Sequence, residues 1–237
     1  MVMSRIQLRG RTPARIAAAV GRRLLPSHPK FGYAWFKFQD GTVSFREVGF
    51  VAASSPVELL ARHNHETATI RRLLGDGPVT QSLEVGCGYG RLTPTFSSNS
   101  AKHVAVDVNE TALEQARMVY PALDFRRASA TGLPFADEMF ERVTTWTVLQ
   151  HIPPANIQDA CKELVRVLST GGHLLICEET RYAAAPVSKH SHTWHRTVDT
   201  YRSMLSPLNL VESAEIDEIN RIPGMRSPGC VMLWEKT

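Results

Sequence analysis

The stretch Ser82–Leu92 reads SLEVGCGYGRL. An apolar run, VTQSLEV over 79–85, ends at three glycines, Gly86, Gly88 and Gly90, that alternate with other residues. Glycine reaches left-handed backbone angles at little cost and leaves room beside the chain. A strand that runs into such a loop and then a helix therefore offers backbone N–H groups to a ligand. Dinucleotide sites use G-x-G-x-x-G. Here Arg91 stands where the third glycine of that pattern belongs. Glu84, on the strand just before the loop, repels a pyrophosphate and attracts a cation.

Outward from this loop, strand-like and helical runs alternate. Pro56 to Leu74 reads as a helix, with proline in its first turn and Gly75 as its stop. Strand 1 is 79–85, strand 2 HVAVDV (103–108), strand 3 LDFRRAS (123–129) and strand 4 FERVTTW (140–146). Helical runs lie at ALEQARMVY (112–120) and IQDACKELVRVLS (157–169), and strand 5 is GGHLLICEE (171–179). This spacing predicts an α/β fold with a doubly wound parallel sheet. LVESAEIDEI (210–219) and GCVMLWEK (229–236) are joined only by NRIPGMRSP. That link is too short for a crossover, so the last pair is expected to be antiparallel.

The chain has 237 residues, 43% hydrophobic and 21% charged, which suits one sizeable α/β core. No apolar run reaches the about 18 residues of a membrane span, and no secretory core is evident. Cys87, Cys161, Cys177 and Cys230 form no CxxC pair and read as reduced thiols of a cytoplasmic protein. The net charge of +4 hides an asymmetry: residues 1–39 carry eight basic groups and no acid. Such an arm suits a solvated tail, RNA or an anionic membrane surface, and its arginine-rich, acid-free character also resembles an organelle transit peptide. Within it, Ile16, Val20 and Leu24 mark one face of a short helix ended by Pro26. Asp40-Gly41 then predicts a hairpin between about Tyr33–Gln39 and Thr42–Phe50. Residues 1–55 are thus expected to form an arm and an aromatic hairpin, a candidate cap over an acceptor site, and 56–237 the main domain.

The E-V-G-C-G-Y-G motif resembles the first motif of class I S-adenosylmethionine-dependent methyltransferases, of the type acting on small molecules. So do Leu133, Pro134, Phe135, Asp137 and Phe140 before strand 4, VLQHI (148–152) after it, and LSTGGHLLI leading into strand 5. The resemblance covers about residues 56–236. It implies a Rossmann-like seven-stranded sheet in the order 3-2-1-4-5-7-6 with strand 7 antiparallel, and S-adenosylmethionine as the cofactor. It implies a cofactor site of Glu84, Gly86, Gly88, Gly90, Asp107, Val108, Ser129, Ala130 and Thr145. Asp107, about twenty residues after the loop, suits two ribose hydroxyls. Ser129 departs from the aspartate usual there, which leaves adenine to the backbone of Ala130.

Methyl transfer from a sulfonium needs an aligned acceptor and exclusion of water, and a base only where the acceptor arrives protonated. His151, Glu178 and Glu179 are the candidate catalytic residues: the two glutamates end strand 5, at the carboxyl edge where ligands sit, and the resemblance implies a histidine at His151 near the methionine end of the cofactor. Trp146, Trp194, His195 and Tyr201 are the candidate substrate-binding residues. For Trp146 the alternative is packing beneath the loop, and for His151 a structural role. The cluster His190, His192 and His195 lacks neighbouring carboxylates, so no metal is expected. The leading expectation is methyl transfer to an oxygen or nitrogen of a small molecule, and a homodimer is left open. A nucleic-acid methyltransferase using the basic arm is the alternative. It is disfavoured because Thr145-Trp146-Thr147-Val148 replaces the Asn/Asp-Pro-Pro-aromatic tetrad of base-modifying relatives. A non-catalytic cofactor-binding protein on the same fold is the third.

Overall fold

The computed structural model describes residues 5–6, 35–39, 42–46, 56–180, 194–216 and 229–237, with side chains from residue 62 onward. The chain divides into two compact units, Met1–Ala68 with Glu218–Arg226, and Thr69–Asp217 with Ser227–Thr237. The first contains a small antiparallel sheet of β1 (Arg5–Ile6), β2 (Trp35–Gln39) and β3 (Thr42–Arg46), in the order β1-β3-β2. Trp35 pairs with Arg46 and Gln39 with Thr42, the two strands of the expected hairpin. Its Asp40-Gly41 turn and the predicted helix within 11–25 lie outside the described residues. Strand β1 was not foreseen, since two residues carry no readable period.

Helix α1 (Pro56–Leu74) leads into the second unit. There follow β4 (Val79–Val85), α2 (Thr93–Phe96), β5 (Ser100–Asp107), α3 (Glu110–Val119), β6 (Asp124–Arg127) and β7 (Phe140–Trp146). Then come α4 (Ile157–Val167), β8 (Leu168–Glu179), α5 (Val198–Met204), β9 (Leu208–Glu215) and β10 (Gly229–Lys236). The seven-stranded sheet runs β6-β5-β4-β7-β8-β10-β9. In sheet-strand numbering that is 3-2-1-4-5-7-6. β10 is antiparallel to both neighbours, and the pairs among β4 to β8 are parallel. The expected sheet is therefore the observed one.

Alternation along the strands sends side chains to both faces. On one face Leu83, Val85, Val104 and Val106 join the main core with Leu164, Tyr201 and Trp234. On the other, Cys87, Ala105, Leu113, Ala116 and Phe125 form a second cluster beneath α3. Helix α4 shows why it forms: Ile157, Ala160, Cys161, Leu164 and Val167 are all buried and recur at helical spacing. Each fully buried large side chain of this kind contributes about 1.5–3 kcal/mol. Strand β10, paired on both sides, is buried over Gly229–Trp234, whereas edge strand β9 exposes Glu212 and Glu215 to water.

Strand β8 begins three residues before the sequence suggests, directly after α4. Its pairing with β7 slips between Phe140 and Arg142. The slip needs Gly171 in the left-handed region at φ 75° and Gly172 where a Cβ would lie 2.8 Å from the Glu141 and Ser169 carbonyl oxygens.

Much of the Leu133–Phe140 motif serves the fold. The Arg166 guanidinium on α4 donates to the Leu133 carbonyl at 3.0 Å, the Phe135 carbonyl at 2.8 Å and the Asp137 carboxylate at 2.7 Å. It also pairs with Glu163 at 2.7 Å, and Glu163 accepts the Leu133 N–H at 2.7 Å. These contacts hold Arg166 well above its usual range. Replacing Arg166 with methionine leaves two carbonyls and a carboxylate unpartnered. It is expected to lower stability by about 2–4 kcal/mol, read as a shift of the urea midpoint with an unchanged slope.

Candidate functional site

The carboxyl ends of β4, β5, β7 and β8 meet at the loop Gly86–Leu92. All three glycines of the loop have positive φ, 80°, 52° and 76° in turn, but they do different work. A Cβ on Gly86 would sit 2.2 Å from Val148 Cγ2, so this glycine exists to let the segment after β7 approach. A Cβ on Gly90 would meet the Phe125 ring at 3.0 Å. A Cβ on Gly88 would meet nothing within 4 Å. Gly88 is therefore the glycine that faces open space, where a ligand approaches the backbone.

Asp107 ends β5 beside it. One carboxylate oxygen accepts the Gly88 N–H at 2.7 Å and the other accepts the Asn109 N–H at 2.8 Å. A carboxylate has about four acceptor positions, so this one fixes the loop and keeps capacity for two hydroxyls. Asn109 in turn caps α3, accepting the Ala112 N–H at 3.2 Å. Val108 follows at 60% exposure, an apolar face presented to solvent next to a polar anchor. Ser129 is exposed and its hydroxyl accepts the Thr131 N–H at 3.3 Å, while Ala130 is buried beside it. Glu84 lies under the loop, almost wholly buried, and accepts the Thr93 hydroxyl at 2.5 Å. A cradle with an acid below it, a bidentate acid beside it and an exposed apolar residue next to that acid fits a cationic nucleoside with a free ribose.

Four expectations need correction. Glu178 is no proton acceptor for a substrate, because it is fully buried. Its carboxylate accepts the backbone N–H groups of Val148 at 3.0 Å, Leu149 at 2.8 Å and Gln150 at 2.8 Å. Burial pushes its pKa up to about 7 against these three bonds and the nearby Arg196 charge. Thr145 is also fully buried, and its hydroxyl donates to Glu178 at 3.5 Å, so its side chain is turned into the protein and is not presented at the surface. Trp146 is 8% exposed and packs against Phe96 with ring centroids 6.3 Å apart, under the glycine loop. Tyr201 is wholly buried in the main core, where desolvation raises its pKa, so it faces no acceptor.

The other candidate catalytic and substrate-binding residues lie near solvent. His151 is exposed at the end of the 3-10 turn Leu149–His151. Glu179 and His195 approach each other at 3.5 Å, and Trp194 docks its N–H on the Gln150 carbonyl at 2.7 Å. His190 and His192 lie outside the described residues. Thr147 occupies the left-handed region at φ 56°. That is a strained conformation for a β-branched residue, and it marks the sharp exit from β7.

Two residues with no role assigned from the sequence complete the turn. Arg196 is buried and donates to the Leu149 carbonyl at 2.8 Å and the Ile152 carbonyl at 2.7 Å. Gln150 accepts the Glu179 N–H at 2.9 Å. The turn is thus held by the Glu178 carboxyl group at its N–H end and by the Arg196 cation at its carbonyl end. Only a buried arginine signals this in the sequence, and burial is not legible there.

Residues 83–176 match the family model described as a methyltransferase domain. A phthiotriol/phenolphthiotriol dimycocerosates methyltransferase of Mycobacterium ulcerans is 38% identical over 117 residues, covering 47% of this chain and 40% of that protein. A ubiquinone/menaquinone biosynthesis C-methyltransferase of Escherichia fergusonii is 31% identical over 116 residues, 45% of each chain. The chain therefore spans less than half the length of these curated relatives. An S-adenosylmethionine-dependent methyltransferase from Mesorhizobium loti has the same fold, with a TM-score of 0.60, 18% identity, and coverage of 72% of this chain and 97% of its own.

The Glu178 carboxyl has a folded pKa above its unfolded value, so the folded state binds the extra proton. The stability it confers is complete below the unfolded value and is lost as pH rises through about 7. Urea titrations of the wild type and Glu178→Gln at pH 5 and pH 8 should show the variant less stable at pH 5 and the gap narrower at pH 8. A gap that widens with pH contradicts the assigned direction.

Proposed function

We propose that this chain, whose residues 83–176 match a methyltransferase domain, is a class I S-adenosylmethionine-dependent methyltransferase that transfers a methyl group to an oxygen or nitrogen atom of a small-molecule acceptor. The observation that carries the cofactor half of this reading is Gly88, open to solvent at positive φ with its N–H fixed by Asp107. S-adenosylmethionine supplies an electrophilic methyl group on a sulfonium with a neutral leaving group. The residues here do the rest. Gly88 admits the ligand to the backbone, Asp107 accepts ribose hydroxyls, Val108 offers an apolar face to adenine, and Glu84 draws in the cationic methionine end. The Glu84 charge also argues against a pyrophosphate at this loop.

The acceptor half rests on the carboxyl edge of β7 and β8. His151 and the Glu179–His195 pair are groups able to take a proton from a hydroxyl or an amine there. Similarity to the E. fergusonii ubiquinone/menaquinone biosynthesis C-methyltransferase supports a second reading in which the acceptor is a carbon atom. Residues 1–55 keep the role of an acceptor-site cap, separate from the cofactor-binding domain 56–237, as a proposal from sequence. The four cysteines, all buried, support a reducing compartment such as the cytoplasm. Among the described residues no helix is long and apolar enough to cross a membrane.

Calorimetry is expected to show S-adenosylhomocysteine binding and no NAD binding. Tight NAD binding without an S-adenosyl ligand overturns the cofactor assignment.

Gly88→Val is expected to abolish that binding while the circular dichroism and the melting transition stay those of a folded domain. The new side chain fills the open space, and the backbone there is hostile to a β-branched residue. Asp107→Ala is expected to weaken binding by about 1.5–3 kcal/mol, the range for hydrogen bonds to a charged group.

Candidate phenols, amines and quinones supplied with methyl-labelled cofactor will identify the acceptor by which product carries label. Turnover that falls steeply with salt would instead mark a polyanionic substrate and bring the basic arm into the reaction.

A further inference from the structure

Glu84 does not stand alone under the glycine loop. In the parallel register of β4 and β5, Ser82 lies beside His103 and Glu84 beside Ala105. Ser82, Glu84 and His103 therefore share one face of the sheet, opposite the core face of Leu83 and Val104. All are buried: Ser82 is 1% exposed and Glu84 4%, and the His103 side chain is 3% exposed. A buried polar line of this kind is costly unless its groups satisfy one another.

The hydrogens can be counted along it. The Ser82 hydroxyl donates to the Ser100 hydroxyl at 2.6 Å. Its oxygen is then the acceptor for His103 Nδ1, 2.7 Å away, so Nδ1 carries a hydrogen. His103 Nε2 is buried, makes no hydrogen bond, and lies 3.8 Å from Glu84 Oε2. The same Glu84 oxygen accepts the Thr93 hydroxyl. With Nε2 bare, a lone pair faces a carboxylate across a buried gap. With Nε2 protonated, the two form an ion pair that only a small shift separates from a hydrogen bond.

We propose that His103 is a positioning residue of the cofactor site: protonated, it holds and neutralises the Glu84 carboxylate until a ligand ammonium replaces it, so that ligand binding releases a proton. The inference rests on the cofactor reading above and goes beyond it by naming the counter-ion that the ligand displaces. When an ammonium reaches Glu84, two buried cations would share one carboxylate, and the imidazolium is the one that can shed its charge. No bond to carbon is made or broken; the proton leaves Nε2 for solvent buffer.

Other ionisable groups around the pair do not substitute for it. Cys87 in the loop and Tyr120 after α3 sense the Glu84 charge, and burial raises the pKa of both well above neutral pH. Tyr120 also faces the Arg91 guanidinium. Asp107 lies at the far end of β5 beside Cys87, and Lys102, the neighbour of His103, is exposed. That leaves His103 as the group of this cluster that both faces the Glu84 carboxylate and has a ring nitrogen able to take up or give up a proton.

The test is calorimetric titration of the full chain with S-adenosylhomocysteine, which carries the same ammonium. It is run in phosphate and in Tris, buffers of unlike ionisation enthalpy, at several pH values between about 5.5 and 8.5. The expected result is an observed heat that differs between buffers, reporting proton release, and an affinity that rises with pH. In His103→Gln, which keeps a donor toward Ser82 or Glu84 but cannot ionise, the difference between buffers and the rise with pH should both vanish while binding persists. Equal heats in the two buffers at every pH for the wild type overturn the proposal, whatever the variant does. Undiminished proton release in His103→Gln overturns it as well. Wild-type binding without proton release refutes the role of His103 alone; no binding of S-adenosylhomocysteine at all refutes the cofactor reading with it.

Discussion

The Glu178 carboxylate, sealed from water at the end of β8, accepts three consecutive backbone N–H groups from the segment that leaves β7. Those groups have no helical partners of their own, because they begin a short turn. The carboxylate therefore sets where Val148, Leu149 and Gln150 lie. Val148 rests against Gly86, so the position of the first glycine of the loop depends on it too. Arg196 grips the carbonyl side of the same turn, and Gln150 reaches back to the backbone of Glu179. One buried charge thereby ties strands 4 and 5 of the sheet to the loop where a ligand enters. Removing one partner of such a group strands the other in a dry interior, which is costlier than never having buried it.

The site uses three acids in three environments. Glu178 is buried against backbone donors and builds the wall. Asp107, half-buried at the end of β5, holds the Gly88 and Asn109 N–H groups and retains acceptor capacity toward solvent. Glu84 is buried too, yet its partners are a threonine hydroxyl and a histidine ring. It is the acid whose charge has not been spent on the backbone. A carboxylate with its charge in reserve beneath an open glycine is a place for a cation. Strain at Thr147 fits the same picture, since an abrupt exit from β7 brings Val148 onto Gly86.

The proposed acceptor side is built with less constraint. The residues proposed for it come from separate places, His151 from the turn, Glu179 from the last position of β8 and His195 from the segment before α5. Backbone bonds fix the neighbours of each, such as Trp194 on Gln150, and leave the side chains near water. A fold of this kind keeps its cofactor cradle on rigid strand ends and leaves substrate choice to connecting segments.

Strand and helix order was legible in the sequence because hydrophobic period and turn residues are local. VTQSLEV, FERVTTW and GCVMLWEK appear as strands with the limits their patterns suggest, and Gly88 and Asp107 fall where a strand end meets a loop. What the sequence could not distinguish is what each residue faces. Glu178 and Glu179 are neighbours of one type, yet alternation turns them to opposite sides. Only the packing of the turn after β7 makes one a buried anchor and the other a solvent-edge acid. Trp146 and Tyr201 are as compatible with a pocket wall as with a core until neighbours such as Phe96 close over them. The three glycines look alike in the sequence. Val148 and Phe125, far along the chain, fill the space beside two of them and leave the third open, because contacts across such separations are set by strand register and not by any local pattern.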